Sequence, residues 1–231
     1  MLELFPAGFE EVDRPGGSVE LAAYTDAAGE ERLWHFFGGV HAADVEAGWE
    51  DRWRVFHRPV RVGSLWVGPP WETPPGDALA VVVDPGRAFG TGSHPTTQLC
   101  LRFLQELERG SLLDVGCGSG VLSIAAALLG FAPVVGVDIE EPSIEATHEN
   151  ARVNGVEVDA RLVAAGEPLP PAAVAVANIS LDSVQALPAR LDAGTLVTSG
   201  YFASAEPELA GYRHVDRHAL EGWAADLYVR A

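Results

Sequence analysis

The sequence predicts an α/β protein built on a mostly parallel sheet with helices on both faces, preceded by a small α+β region. Three observations carry that prediction. Short apolar runs alternate with helix-like stretches from about residue 79 onward, the pattern of strand–helix–strand crossovers. One run, Leu112-Leu113-Asp114-Val115, passes straight into Gly116-Cys117-Gly118-Ser119-Gly120 and then into a helical stretch. Another, Val134-Val135-Gly136-Val137, ends on the acid Asp138. With 231 residues, 48% of them hydrophobic, the chain has the material for one sizeable domain plus an appendage.

In order along the chain, residues 8–13 and 18–25 read as two strands joined by the turn Arg14-Pro15-Gly16-Gly17. Residues 30–37 form an expected helix ended by Gly38-Gly39, and residues 40–46 a returning strand. A connecting helix is expected over 49–56, where Trp49, Trp53 and Phe56 recur at helical spacing and suit packing better than function. Prolines make 69–76 a stiff surface connection. The domain boundaries drawn from this reading are 1–46, 47–76 and 77–231.

In the last of these regions, 79–83 is an expected strand and 95–107 a helix, with Pro95 suited to a first helical turn. Residues 111–115, 134–138 and 160–163 read as the first three strands of the sheet. Helices at 121–129 and 141–154 separate them, the second stopped by Gly155. Strands at 173–177 and 195–199 follow, and 212–218 and 224–230 close the sheet as a terminal pair, giving seven strands.

The strand, glycine turn, helix, strand and acid together suggest a Rossmann-like nucleotide site. Gly116, Gly118 and Gly120 let the backbone turn tightly and approach a ligand unobstructed. Asp138, at a strand's carboxyl end, is suited to accept hydrogen bonds from two ribose hydroxyls. The spacing is G-x-G-x-G, with Val121 where a dinucleotide fingerprint places its third glycine. That favours S-adenosylmethionine, which has no pyrophosphate to seat, over NAD or FAD. A dinucleotide site and a purely structural turn remain the alternatives.

A second element is the connection from Asp84 to Thr97, with three glycines, two prolines and four hydroxyls. In it Phe89 is suited to cover an apolar ligand part, while Gly90, Thr91, Gly92 and Thr97 offer backbone N–H groups and hydroxyls. His94 is a candidate base, though a histidine beside proline is more often structural. The third element is the buried run Val174-Ala175-Val176-Ala177 ending on Asn178, which falls at the same sheet edge as Gly116 and Asp138. Its side-chain carbonyl suits orienting an amine; capping a helix over 180–187 is the structural alternative.

The formal charge is −18, and all 15 basic residues are arginine. Such a surface repels a phosphate backbone and attracts basic protein, although acidity also serves solubility alone. Cys100 and Cys117 form neither a CxxC pair nor part of a histidine cluster, so no disulfide framework or metal site is expected. With no basic apolar leader and no run long enough for a bilayer, a cytoplasmic protein is expected.

Taken together, Phe89-Gly90-Thr91-Gly92-x-His94-Pro95-Thr96-Thr97, Asp114-x-Gly116-Cys117-Gly118-Ser119-Gly120, Gly136-Val137-Asp138 and Ala177-Asn178-Ile179 resemble the bacterial ribosomal protein L11 methyltransferase family. The resemblance runs from about Glu46 to the C-terminus. It includes Glu50-Asp51-Arg52-Trp53, Pro59-Val60-Arg61-Val62-Gly63 and Asn150-Ala151-x-x-Asn154-Gly155-Val156. The glycine motif alone indicates only a class I methyltransferase; the loop is specific to this family and its protein-lysine relatives.

The resemblance implies a class I methyltransferase fold, S-adenosylmethionine as cofactor, and transfer of methyl groups to lysine and N-terminal amines of a basic ribosomal protein. It implies that Thr97, Gly116, Gly118, Gly120, Asp138 and Asn178 contact that cofactor or frame its methyl group, with Gly90 and Gly92 beside them. Asn178, Phe89 and Thr91 are then the residues nearest the chemistry. Residues 1–46 would be a shortened form of the family's ferredoxin-like substrate-recruiting domain. A monomer without nucleic-acid or membrane contacts is expected. Two departures stand out: Ala164-Ala165-Gly166 offers no acid or amide for an adenine amino group, and Ala173 stands where relatives usually have aspartate. The rival readings are a class I enzyme acting on another protein's lysine or a small amine, a non-catalytic S-adenosylmethionine-binding module, and an NAD-dependent oxidoreductase.

Overall fold

A computed structural model describes residues 10–14, 18–22, 34, 58–84 and 92–231. The chain forms two compact units, Met1–Arg52 and Trp53–Ala231. In the first, β1 (Glu10–Arg14) and β2 (Ser18–Ala22) pair as an antiparallel hairpin, with Arg14 opposite Ser18. The helix expected over 30–37 (Trp34 apart, which is helical), the strand over 40–46 and the helix over 49–56 lie outside the described residues.

The second unit begins with a three-stranded sheet of β3 (Val60–Val62), β4 (Leu65–Gly68) and β5 (Leu79–Val82). The first pair is antiparallel and the second parallel. Only β5 is anticipated by the sequence pattern. Three- and four-residue strands are too short to display a period, and the proline-rich segment that joins β4 to β5 carries a parallel crossover.

Helix α1 (Pro95–Glu106) follows, with proline in its first turn and His94 as N-cap, whose Nδ1 accepts the Thr96 N–H at 3.3 Å. Leu99, Cys100, Phe103 and Leu104 bury one face of α1 against the large sheet. Each of the larger side chains contributes about 1.5–3 kcal/mol by leaving water. The unit continues as β6 (Leu112–Val115), α2 (Val121–Leu128), β7 (Val134–Asp138), α3 (Glu141–Val153), β8 (Asp159–Leu162) and β9 (Ala172–Asn178). Helix α4 (Leu181–Ala186), a 3-10 turn at Leu187–Ala189, β10 (Ala193–Phe202), β11 (Tyr212–Leu220) and β12 (Trp223–Arg230) complete it.

The large sheet has the order β11-β12-β10-β9-β6-β7-β8. Strands β6 to β10 pair in parallel, while β12 runs antiparallel to both neighbours. Alternation along each strand divides the core. Leu112, Val174, Val176, Val197 and Ala225 meet α1, α2 and the small sheet on one face, whereas Leu113, Val115, Ala175, Ala177, Leu196 and Tyr228 meet α4 and its surroundings on the other. By the same alternation Asp114 and Asn178 share the α1 face. Strand order reverses at β6, which opens a crevice at the carboxyl ends of β6 and β9.

The far edge is fixed by Asp226 on β12, which is fully buried and accepts hydrogen bonds from Tyr201 Oη (2.7 Å), His214 Nε2 (2.7 Å) and Arg217 Nε (2.8 Å). Burial penalises the carboxylate, yet these donors, Arg217 foremost, hold its pKa below the usual value. Arg217 also ties down the carbonyls of Ala203 and Ala205, just beyond β10. Among the described residues no helix is long and apolar enough to cross a membrane.

Candidate functional site

The glycine turn lies between β6 and α2. Gly116, Gly118 and Gly120 all have positive φ (76°, 52° and 81°), a region that side chains with a Cβ rarely adopt. The N–H groups of Gly116 and Cys117 both bond to Val137 O, at 2.8 and 3.1 Å, which ties the turn to the end of β7. Asp138 closes that connection, with Oδ2 accepting the Gly118 N–H at 3.0 Å and Oδ1 the Glu140 N–H at 3.1 Å. The sequence suggests this carboxylate as the acceptor for a ribose diol. It holds two backbone donors as well, and since each carboxylate oxygen has two lone pairs, acceptor capacity remains on both.

Asn178 ends β9 on the α1 side, and its Nδ2 donates to Thr97 Oγ1 at 3.2 Å across 81 positions of sequence. Thr97, 2% exposed in the first turns of α1, takes one of the two NH2 donors and orients the amide, so that the carbonyl oxygen and the second N–H stay available to a ligand. The next residue, Ile179, is gripped from two sides. A Cβ on Gly116 would collide with Ile179 Cγ2, and one on Gly200 with the Ile179 carbonyl. Ile179 N also donates to Ser199 O at 3.1 Å. Backbone contacts and absent side chains thus fix Asn178 beside the glycine turn.

Behind the turn, Asp114 is 1% exposed. Its Oδ2 accepts from Ser123 N (3.0 Å) and Ser123 Oγ (2.7 Å), while Oδ1 has no hydrogen-bond partner among the described residues. Burial pushes its pKa up from 3.8 to about 6 against those bonds, with the nearby Asp138 charge adding to the rise. Burial likewise pushes the Cys117 thiol up to about 12 and raises Cys100, so neither is a ready thiolate.

Of the predicted site residues, Thr97, Gly116, Gly118, Gly120, Asp138 and Asn178 gather at the carboxyl edge of β6, β7 and β9. Phe89, Gly90 and Thr91 lie outside the described residues. Gly92 is buried, where a Cβ would strike Val67 of β4. His94 is engaged as the cap of α1, which agrees with a structural part.

Sequence reasoning missed three features. An aromatic row links the N-cap of α1 to β10 and β12: His94 and Trp223 meet edge-on with ring centroids 4.8 Å apart, and Trp223 stacks on the exposed Phe202 at 4.4 Å. Ile139 and Leu162, 67% and 53% exposed, present apolar side chains at the ends of β7 and β8, next to Asp138 and opposite it in the ladder. Glu167 folds back so that Oε2 accepts the Ala164 N–H at 3.1 Å, which brings a carboxylate to a turn whose own residues, Ala164-Ala165-Gly166, carry none. Cross-strand pairing and a three-residue return, rather than any local motif, create these groupings.

The strand order and a glycine turn facing an acid across β6 and β7 define a class I methyltransferase fold. The sequence profile described as ribosomal protein L11 methyltransferase matches residues 25–224, and the chain belongs to that family. A Pseudomonas putida protein of that name is 43% identical over 183 residues, which cover 74% of this chain and 63% of the relative. One from Legionella pneumophila is 39% identical over 195 residues, covering 78% and 68%. The crystal structure of a ribosomal protein L11 methylase from Lactobacillus delbrueckii subsp. bulgaricus superposes with a TM-score of 0.65 at 28% identity, over 75% of this chain and 99% of that one. The match thus spans 63% of the length of the Pseudomonas relative.

Proposed function

We propose that the protein is a cytoplasmic S-adenosylmethionine-dependent methyltransferase that modifies lysine side-chain or N-terminal amines of ribosomal protein L11. The observation that carries the reading is the meeting of Asp138, the glycine turn and the Asn178–Thr97 pair at one sheet edge, in a chain of this family. The residues present fit the cofactor. Asp138 retains acceptor capacity for hydroxyls, Ile139 and Leu162 offer apolar faces to a flat base, and the turn admits close approach.

S-adenosylmethionine supplies an electrophilic methyl group on a sulfonium centre. The protein's part is alignment, because in-line attack by a neutral amine needs little acid or base power. Asn178 Oδ1 accepts a hydrogen bond from the incoming amine and aims the nitrogen lone pair, while Thr97 holds the amide in the required orientation. The aromatic row from His94 through Trp223 to Phe202 begins at the N-cap of α1, three residues before Thr97. It also offers ring faces to an alkylammonium, worth roughly 0.5–1 kcal/mol at an exposed position.

The test combines titration calorimetry with transfer of a labelled methyl group to purified L11. The wild-type chain is expected to bind S-adenosylmethionine and label L11. Asp138→Ala is expected to bind at least about tenfold more weakly, since hydrogen bonds to a charged group are worth about 1.5–3 kcal/mol. Binding without transfer to any protein would mark a non-catalytic module, and transfer only to another protein would remove L11.

A further inference from the structure

The stretch Asn150-Ala151-x-x-Asn154-Gly155 has no part in the site described so far, yet Asn150 is 3% exposed and bonded at both ends of its amide. Its Oδ1 accepts the Asp84 N–H at 3.1 Å, and its Nδ2 donates to the Ser119 carbonyl at 2.9 Å. The partners fix that orientation: reversed, the NH2 would face the Asp84 N–H and the oxygen the Ser119 carbonyl. Asn154, one turn further along, takes the Val82 N–H on Oδ1 at 2.8 Å and donates from Nδ2 to Val82 O and Asn150 O.

Val82 and Asp84 are two residues apart, so their N–H groups point the same way from an extended strand. Strand β4 pairs with the other edge of β5. The two asparagines therefore occupy the edge of β5 as a further strand would, satisfying donors that would otherwise be open.

Only Asn150 of the pair also bonds to the glycine turn. Residues Cys117 to Gly120 form a tight turn closed by Gly120 N to Cys117 O at 2.8 Å, with Gly118 at φ 52° in its first central position, as a type II′ turn requires. A trans peptide directs the C=O of one residue opposite the N–H of the next. Holding Ser119 O against Asn150 thus turns the Gly120 N–H onto Cys117 O. Thr147, a turn earlier on α3, holds Gly118 O at 3.0 Å in the same manner. Side chains of α3 set two successive peptide planes of the turn, and one of those side chains is anchored at Asp84, two residues beyond β5.

We infer that Asn150 is a positioning residue for cofactor binding, making the geometry of the glycine turn depend on its bond to Asp84, two residues beyond β5. The inference rests on the S-adenosylmethionine reading above. It makes Asn150 and Asn154 separable. Loss of either loosens β5, but only loss of Asn150 releases the turn.

Calorimetric titration of the full chain with S-adenosylhomocysteine, paired with melting curves, tests this. Asn150→Ala and Asn150→Asp are each expected to weaken binding about tenfold, the equivalent of one buried hydrogen bond. The aspartate variant keeps an acceptor for Asp84 N–H, loses the donor to Ser119 O and sets a carboxylate oxygen against that carbonyl. Asn154→Ala removes three bonds without touching the turn, so it should lower the melting temperature at least as far and leave the Kd within about twofold. An Asn150 variant that binds like wild type, or an Asn154→Ala chain that loses as much affinity, overturns the inference. A second readout needs no variant: saturating S-adenosylhomocysteine should slow hydrogen exchange at the Asp84 amide of the wild-type chain, and an unchanged rate overturns the coupling. A wild-type chain that does not bind overturns the cofactor reading and this inference with it, whereas binding by wild type with unaltered Asn150 variants overturns this inference alone.

Discussion

Asp114 carries a carboxyl that is 1% exposed, half-satisfied by Ser123, and pushed from 3.8 to about 6 by burial. Because the folded pKa lies above the unfolded one, the native state favours the protonated acid. The group imposes no penalty below about pH 3.8, a growing one as pH rises to about 6, and a constant one above. At about 1.4 kcal/mol per pKa unit the full penalty is ~3 kcal/mol. Asp114→Asn, neutral at every pH, should therefore gain on wild type by up to that amount between pH 4 and 6.5. Urea unfolding at intervals of one pH unit reads the difference, and parallel curves would show that Asp114 does not titrate there. At Asn178 the expected effect is kinetic. Asn178→Ala and Thr97→Val should each lower kcat while changing the cofactor Kd far less. Since the two share one hydrogen bond, the double variant should fall short of the product of the single losses. Equal losses in affinity and turnover would assign the pair to cofactor binding instead.

Strand β10 illustrates what elements add to residues. Its register with β12 shifts between Ser199 and Tyr201, and this irregularity lets the strand run on past Gly200 to set Phe202 opposite Trp223. Gly200 has φ 101° and no room for a Cβ beside the Ile179 carbonyl. Gly200→Ala should thus cost about 1–3 kcal/mol of stability, and it should impair turnover by displacing Asn178; a melting curve with a methyl-transfer assay checks both. The parallel strands and their helices were legible because runs such as Val134–Asp138 are apolar, bounded by turn residues and separated by helical stretches. The gathering of the candidate site residues on them was legible for the same reason, since strand ends in such a sheet share one edge. The small sheet was not legible, because the β4–β5 pairing of Val67 with Val81 crosses a segment whose prolines suggest only a surface connection. Nor was the aromatic row, since His94, Phe202 and Trp223 are far apart in sequence and meet only once β10 and β12 are aligned.

The whole molecule carries a formal charge of −18 without a single lysine. Such a charge steers a basic protein toward it over a range set by salt. Raising salt from about 0.05 to 0.5 M shrinks the Debye length from roughly 14 to 4 Å. The kcat/KM for methylating L11 should fall over that range, while affinity for S-adenosylmethionine, held by short contacts, should change little. Salt-insensitive methylation would remove the steering idea. The sheet's strand order also has a consequence for how the chain is made. Strand β12 leaves the ribosome after β10 and β11 yet lies between them. Until it emerges, β10 has an open edge and β11 has no neighbour, so this half of the sheet cannot assemble strand by strand during synthesis. The glycine turn and Asp138 are translated far earlier, whereas Trp223, which packs on His94 and Phe202, and Asp226, which holds Arg217, arrive together on β12. A nascent chain thus holds its nucleotide-type turn well before the aromatic row and the buried Asp226 cluster exist.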